Sequence, residues 1–275
     1  MPDFQQARKD YKQMLLNATQ YSGNHKKEEK VFSASMLGDE PLKNYLRYKY
    51  GTQQKQQLDA TMLGSLYQLG IDSAVEKWNA RMQYEHKDKD FKQYEYALRL
   101  KYTLPNGWTV SGEIDQYDTI NNTVFDNKLS NETTYKAIEK EGRRHHYALQ
   151  LAVYKWLLIK NDITEEEPVC SIALGNKSYS HYKTNKCETI EIFEVPTLSI
   201  EDTEALLIEK TNELQMYIDM DTCPEKPIIN KLMPYKKKGS PRATLMKCEY
   251  YCDYKDLCPH YQPNNDTKSF INNFL

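Results

Sequence analysis

GEIDQYDTINNTVFDNK, residues 112–128, holds two strand-like runs around a polar turn. The first run is WTVSGEIDQYD, 108–118, and the second is TVFDNKL, 123–129. Between them stand Thr119, Ile120, Asn121 and Asn122, and an Asn-Asn pair suits a hairpin turn. Strand side chains alternate between faces, so Glu113, Asp115 and Tyr117 share one face, and Asp126 and Lys128 share one face of the next strand. Pairing the strands brings Asp115, Asp126 and Lys128 together. Two carboxylates beside an ammonium suit a hard, oxygen-seeking cation such as Mg2+ or Mn2+. The lysine then stands where charge building on a phosphate needs a partner. An exposed hairpin with a cross-strand ion pair accounts for the same residues, and the next helix helps to decide between the two.

That helix is expected over 141–160, EGRRHHYALQLAVYKWLLIK. Gln150 and Tyr154 are four apart and lie on one helical face. Leu149, Leu151, Ala152, Val153, Trp156, Leu157 and Leu158 supply its core side. The order Gly112-x-x-Asp115, then Asp126-Asn127-Lys128, then Gln150-x3-Tyr154 resembles the PD-(D/E)XK nucleases. More narrowly it resembles their RecB-like branch, which includes CRISPR-associated and phage exonucleases. The resemblance spans residues 31–261. It implies an α/β, restriction-endonuclease-like fold: a mixed central sheet flanked by helices, a helical N-terminal part and a cysteine-bound C-terminal cap. It also implies metal-dependent hydrolysis of DNA by an exonuclease in recombination, repair or phage replication. In that scheme Asp115 and Asp126 hold the metal with the backbone carbonyl of Asn127, Lys128 serves the reaction, and Gln150 and Tyr154 line the site.

The N-terminal flank is read against the same pattern. Residues 1–30 form a polar helix and linker, and a nuclease core is expected over 31–220. Ser33 and Ser35 precede an apolar periodic run, as residues that cap a helix start do. A second helix pattern covers 58–83. The family carries Gly-x-x-His here, with the histidine a metal ligand; in this chain the glycine is Gly64 and Tyr67 stands at the histidine's place. A neutral phenol is a poor ligand for Mg2+ or Mn2+. Glu76 offers a carboxylate from the same helix, or it is an ordinary solvent-facing charge. The departure at Tyr67 supports a rival reading, a nuclease-fold protein that binds DNA or a partner without cutting. Strands are expected at 94–104, 107–118 and 123–129 as an antiparallel meander, and again at 168–178 and 187–195. The polar segment 130–140 is placed to lie across the cleft, and a helix is expected at 200–219.

The chain has 275 residues, enough for a sizeable core. Its net charge of −2 does not announce a nucleic-acid binder, but a local basic cleft suffices for one. Arg143 and Arg144 at the helix start, and Lys236, Lys237, Lys238 and Arg242 in the proline-rich stretch after Asp221, are the candidates for DNA-backbone contact. Each set is equally well read as solvated surface charge. No apolar run approaches membrane-span length and the start is no signal peptide, so the chain is expected in the cytoplasm, the host's if it is phage-encoded.

All six cysteines lie in the second half. Cys170 and Cys187 fall in strand-like runs and read as inert buried thiols. Cys248, Cys252 and Cys258 follow the spacing C-x3-C-x5-C within the C-terminal region 221–275. This resembles the C-terminal cysteine cluster of RecB-like and AddB-like nucleases, which with one distant cysteine holds a [4Fe–4S] cluster; Cys223 is the available fourth ligand. On composition the four thiolates suit Zn2+ equally, and three cysteines are also what a lost cluster would leave behind, with no metal. A zinc-stapled interaction protein whose Asp-x-Lys is coincidental is the remaining alternative, and wide separation of Asp115, Asp126 and Lys128 would favour it.

Overall fold

Alternating apolar and polar side chains across 94–130 produce three consecutive strands. They are seen in the computed structural model of the protein, which describes residues 29–51, 58–88, 90–130, 145–177, 190–225 and 252–260. β2 (Tyr94–Thr103), β3 (Thr109–Asp118) and β4 (Thr123–Ser130) pair antiparallel in sequence order. The meander is therefore the expected one. Its β3–β4 turn is organised by Asp118, which is 2% exposed. The Asp118 carboxylate accepts the backbone N–H groups of Ile120 and Asn121 and the side-chain amides of Gln93 and Asn121. Asn122 takes a φ of 46°, a left-handed conformation that asparagine tolerates better than most residues. The β3–β4 ladder runs only from the turn to Gln116↔Phe125. Beyond that pair the two strands part.

β1 (Val31–Ser33), β5 (Val169–Asn176) and β6 (Ile190–Glu194) complete a six-stranded mixed sheet with the path β1-β3-β4-β5-β6 and β2 beside β3. β1 runs parallel to β3 and β5 parallel to β4, whereas β6 is antiparallel to β5. Parallel neighbours require a long crossover, and α3 (His145–Lys160) lies in the one between β4 and β5. Ser33 ends β1 and leads into a 3-10 turn, Ala34–Met36; α1 (Pro41–Tyr50) starts only afterwards, on a proline suited to the first helical position.

Helices cover both faces of the sheet. The side chain of Asn127 reaches Gln68 of α2 (Leu58–His86), while Lys128 lies against Tyr147 of α3. Neighbours on a strand point to opposite sides, so α2 and α3 flank β4 from opposite faces. α3 is apolar nearly all round because it is buried all round: Leu151, Val153, Trp156, Leu157 and Leu158 are all fully inaccessible. Its outer side meets α4 (Ile200–Asp219), where Glu204 accepts from Trp156 Nε1 at 3.1 Å and Lys160 Nζ at 2.7 Å.

Two glycines let these helices approach. A Cβ at Gly112 of β3 would lie 3.0 Å from Tyr154 Cε1 and 2.9 Å from Leu157 Cδ1. A Cβ at Gly175 of β5 would lie 2.7 Å from Tyr67 Cζ. Gly112 therefore sets how close Tyr154 comes to the strand carrying Asp115.

The chain divides into two compact units, one of Met1–Asp39 with Gln56–Asn212 and one of Glu40–Lys55 with Glu213–Leu275. The sheet belongs to the first. In the second, Tyr254 is 1% exposed and donates its hydroxyl to the Gly51 carbonyl at 3.1 Å. His260 Nε2 lies 3.0 Å from the Pro224 carbonyl. The helix and linker expected over residues 1–30 fall almost entirely outside the described residues, as does the segment expected across the cleft. Among the described residues, no helix is long and apolar enough to cross a membrane.

Candidate active site

Where β3 and β4 part, Asp115 turns its carboxylate toward β4, and Oδ2 accepts the backbone N–H of Asn127 at 2.7 Å. Asp126 is 1% exposed. Its Oδ1 accepts from Lys128 Nζ at 2.7 Å, while its Oδ2 is buried without a hydrogen-bond partner. Burial and the neighbouring Asp126 charge push Asp115 up to about 7, against the opposing pull of Lys128. Burial also raises Asp126, again opposed by Lys128. For Lys128, burial works to lower the pKa, but the Asp126 and Asp115 carboxylates outweigh it and the ammonium is held more firmly. The structure thus brings Asp115, Asp126 and Lys128 together, and the wide separation that would favour a coincidental Asp-x-Lys is not what it shows.

α3 supplies the lid of this pocket of charge. Gln150 Nε2 donates to Tyr154 Oη at 2.5 Å. Burial first, and the Asp126 charge second, push the Tyr154 hydroxyl far up, so it stays protonated. Tyr147, one turn before Gln150, places its ring 5.6 Å from Lys128 Nζ, within reach of a cation–π contact. The motif Gln150-x3-Tyr154 did not include Tyr147; its spacing of three from Gln150 is the signal that puts it on the same helical face.

On the opposite side, α2 presents Tyr67, Glu76 and a carboxylate that the sequence reading did not single out. Tyr67 packs its ring on Gly175, its hydroxyl is buried without a partner, and burial raises its pKa. Glu76 is exposed and accepts the Tyr96 hydroxyl at 2.6 Å. The α2 carboxylate that bears on the pair is Asp72, one turn earlier, whose charge helps to raise Asp115. Asp72 is itself raised by burial, tempered by hydrogen bonds from Gln68 and Gln116. Among the described residues no three carboxylate, imidazole or thiol groups converge closely enough to complete a metal site from side chains alone.

The cysteines divide as expected in part. Cys170 is 4% exposed, and burial pushes its thiol up to about 12. Cys223, Cys252 and Cys258 are half-buried free thiols in the second unit. Burial and then the neighbouring Cys258 raise Cys223. Cys187, Cys248, Arg143, Arg144, Lys236, Lys237, Lys238 and Arg242 lie outside the described residues.

Residues 59–259, well over half of the chain, match the family model of the PD-(D/E)XK nuclease superfamily. No curated protein matches the sequence. Among solved structures, the crystal structure of SSO0001 aligns over 92% of this chain and 98% of its own at 15% identity, with a TM-score of 0.57. That likeness is one of fold, and the mixed sheet between helices is restriction-endonuclease-like. An alkaline exonuclease (LHK-Exo) from Laribacter hongkongensis aligns over 76% of this chain and 97% of its own at 12% identity, TM-score 0.39. A phage-related exonuclease from Haemophilus somnus 129PT aligns over 65% and 79% at 13% identity, TM-score 0.35.

Proposed function

The chain belongs to the PD-(D/E)XK nuclease superfamily, and from that premise we propose that it is a metal-dependent DNA nuclease. We infer an exonuclease acting on DNA ends in recombination, repair or phage replication, beside the proteins of those processes. One observation carries the metal-dependent part: Asp126 Oδ2 is buried with no hydrogen-bond partner beside a second carboxylate. A buried carboxylate oxygen left unpaired is costly, and a cation removes that cost. The donors are all oxygen, which fits Mg2+ or Mn2+. The exonuclease part rests on the RecB-like order of Asp115, Asp126-Asn127-Lys128, Gln150 and Tyr154.

Asp115, Asp126 and the Asn127 carbonyl would hold the ion. When bound, it supplies Lewis acidity to the phosphate and a more acidic water. Lys128, kept protonated by the two carboxylates, faces the charge that builds on the phosphate. Tyr154, kept protonated by burial, accepts the Gln150 side-chain N–H and would hold Gln150 as a backbone-positioning amide. Arg143, Arg144, Lys236, Lys237, Lys238 and Arg242 would follow the DNA backbone outward.

The test is digestion of end-labelled linear DNA with Mg2+ or Mn2+. Expected are a product ladder from an end, complete arrest by chelator, and sparing of closed circular DNA of the same sequence. Folded protein that binds DNA but cuts with neither ion would instead establish the non-cutting reading. That reading draws on Tyr67, a buried phenol where the family has a histidine ligand.

For the second unit we propose that Cys223, Cys248, Cys252 and Cys258 hold a [4Fe–4S] cluster, or Zn2+ in its place, as a C-terminal staple. In support, Cys223 feels Cys258, and His260 reaches the carbonyl of Pro224, beside Cys223. Protein isolated without oxygen is expected to carry iron and sulfide with a brown absorbance, or stoichiometric zinc. Protein with neither metal, folded and active, would sink the staple.

A further inference from the structure

We propose that Gln68, Asp72, Gln116 and Asn127 form a positioning ring that aims the backbone of Asn127 at the cation, an inference that rests on the metal-centre reading above. Asn127 Nδ2 donates to Gln68 Oε1 at 3.3 Å and to Gln116 Oε1. Gln68 Nε2 and Gln116 Nε2 both donate to Asp72 Oδ1, at 2.8 and 3.2 Å. The ring closes on itself and has one direction. A carboxylate only accepts, so Asp72 turns both glutamine amides with their nitrogens toward it and their oxygens toward Asn127.

The position of the ring gives it its task. The β3–β4 ladder stops at Gln116↔Phe125, two residues short of Asn127. On its β3 side, the Asn127 backbone is held by the contact of its N–H with Asp115 Oδ2. The ring replaces the missing ladder: it ties the Asn127 side chain to β3 through Gln116 and to α2 through Gln68 and Asp72. Asp126 and Lys128 leave the strand on the α3 side, so the ring acts from behind them. A twist of the backbone at Asn127 would release its N–H from Asp115 and redirect its carbonyl. Gln116 is 4% exposed, and a buried amide held by two partners of fixed polarity specifies an orientation that an apolar side chain would not. These four are positioning residues; none needs to touch DNA.

Gln116→Glu keeps the shape but replaces the donor to Asp72 with an acceptor. Asp72→Leu removes the acceptor, and Asp72→Asn restores one. Free Mn2+ is titrated by electron paramagnetic resonance at pH 8. The Mn2+ Kd is expected to rise about tenfold or more in Gln116→Glu and Asp72→Leu, the size of effect that outer partners of metal ligands have. Asp72→Asn is expected to stay within about twofold of wild type. Exchange of the Asn127 amide in metal-free protein is expected to quicken in the first two variants only. Should Gln116→Glu not fold, Gln68→Met breaks the ring from α2 with the same expectation. Unchanged Mn2+ affinity in the ring-breaking variants overturns the ring, as does an Asp72→Asn as weak as Asp72→Leu. A wild type that binds no Mn2+ at all overturns the metal-centre reading itself, and the ring's purpose with it.

Discussion

Asp126→Ala and Lys128→Ala are each expected to lower divalent-dependent DNA cleavage by at least about a hundredfold, yet to move stability in opposite directions. Asp126 is a fully buried carboxylate with one oxygen unpaired, beside the second carboxylate of Asp115. Its removal in metal-free protein takes away a desolvation cost and a repulsion, and leaves Lys128 paired electrostatically with Asp115. Metal-free Asp126→Ala is therefore expected to unfold at or above the wild-type temperature. Among the described residues, Lys128→Ala takes the charge of opposite sign that acts on both carboxylates. Removing one member of a buried pair costs about 3–5 kcal/mol in a deep interior, and Lys128, whose side chain is 26% exposed, should lose somewhat less. Thermal unfolding in EDTA, run beside the cleavage assay, separates chemistry from folding. Two inactive variants on either side of the wild-type stability place the defect at the metal and the phosphate. Cleavage retained by either would remove Asp126-x-Lys128 from the reaction.

How much of this was legible in the sequence depended on how local the determinants were. The hairpin was legible because alternation, the Asn-Asn turn and the short spacing are all encoded within twenty residues. Gln150 and Tyr154 were legible because four residues on a helix share a face whatever it packs against. The parallel pairings of β1 with β3 and β4 with β5 were not, since the partners lie far apart in the chain and no local pattern names them. The same limit explains Asp72 and Glu76. They lie four apart on one face of α2, and both look like carboxylates able to reach the strands. What separates them is where along its axis the helix meets the sheet, a shift of about 6 Å. The structure places Asp72 behind Asn127 and leaves Glu76 to Tyr96. The hydrogen bonds that join Asp72 to Gln68 and Gln116 are hidden for the same reason, because the strand pattern around Gln116 does not say which helix residue it meets. The cysteine spacing was plain in sequence, but four thiolates look alike whether they hold iron–sulfur or zinc.

Asp115→Asn is expected to stabilise the metal-free protein and to do so more as pH rises. In the folded chain Asp115 titrates near 7, against an ordinary value of 3.8. Between those values the folded state keeps a proton that the unfolded chain releases. The folded state binding more protons means that stability falls as pH climbs. The loss begins near 3.8, grows through the folded pKa, and is complete above about 7. At roughly 1.4 kcal/mol per unit, the full cost comes to about 4 kcal/mol at most. Asparagine carries no charge to desolvate, and its side-chain oxygen still accepts the Asn127 N–H. Urea unfolding in EDTA should show wild type and Asp115→Asn alike at pH 4, with the variant ahead by about 1–4 kcal/mol at pH 8. The same proton sets the metal's pH dependence with the opposite sense. A cation needs the carboxylate deprotonated, so Mn2+ affinity should rise up to about tenfold per pH unit below 7 and level off above it. Asp115→Asn should lose that slope together with cleavage. The destabilising charge and the proposed metal requirement would then be one property of one carboxylate: a cost at Asp115, offset in part by Lys128, that the cation would relieve. A variant that gains nothing at pH 8 over pH 4 would mean that Asp115 ionises at its ordinary value, and that no such cost is held there.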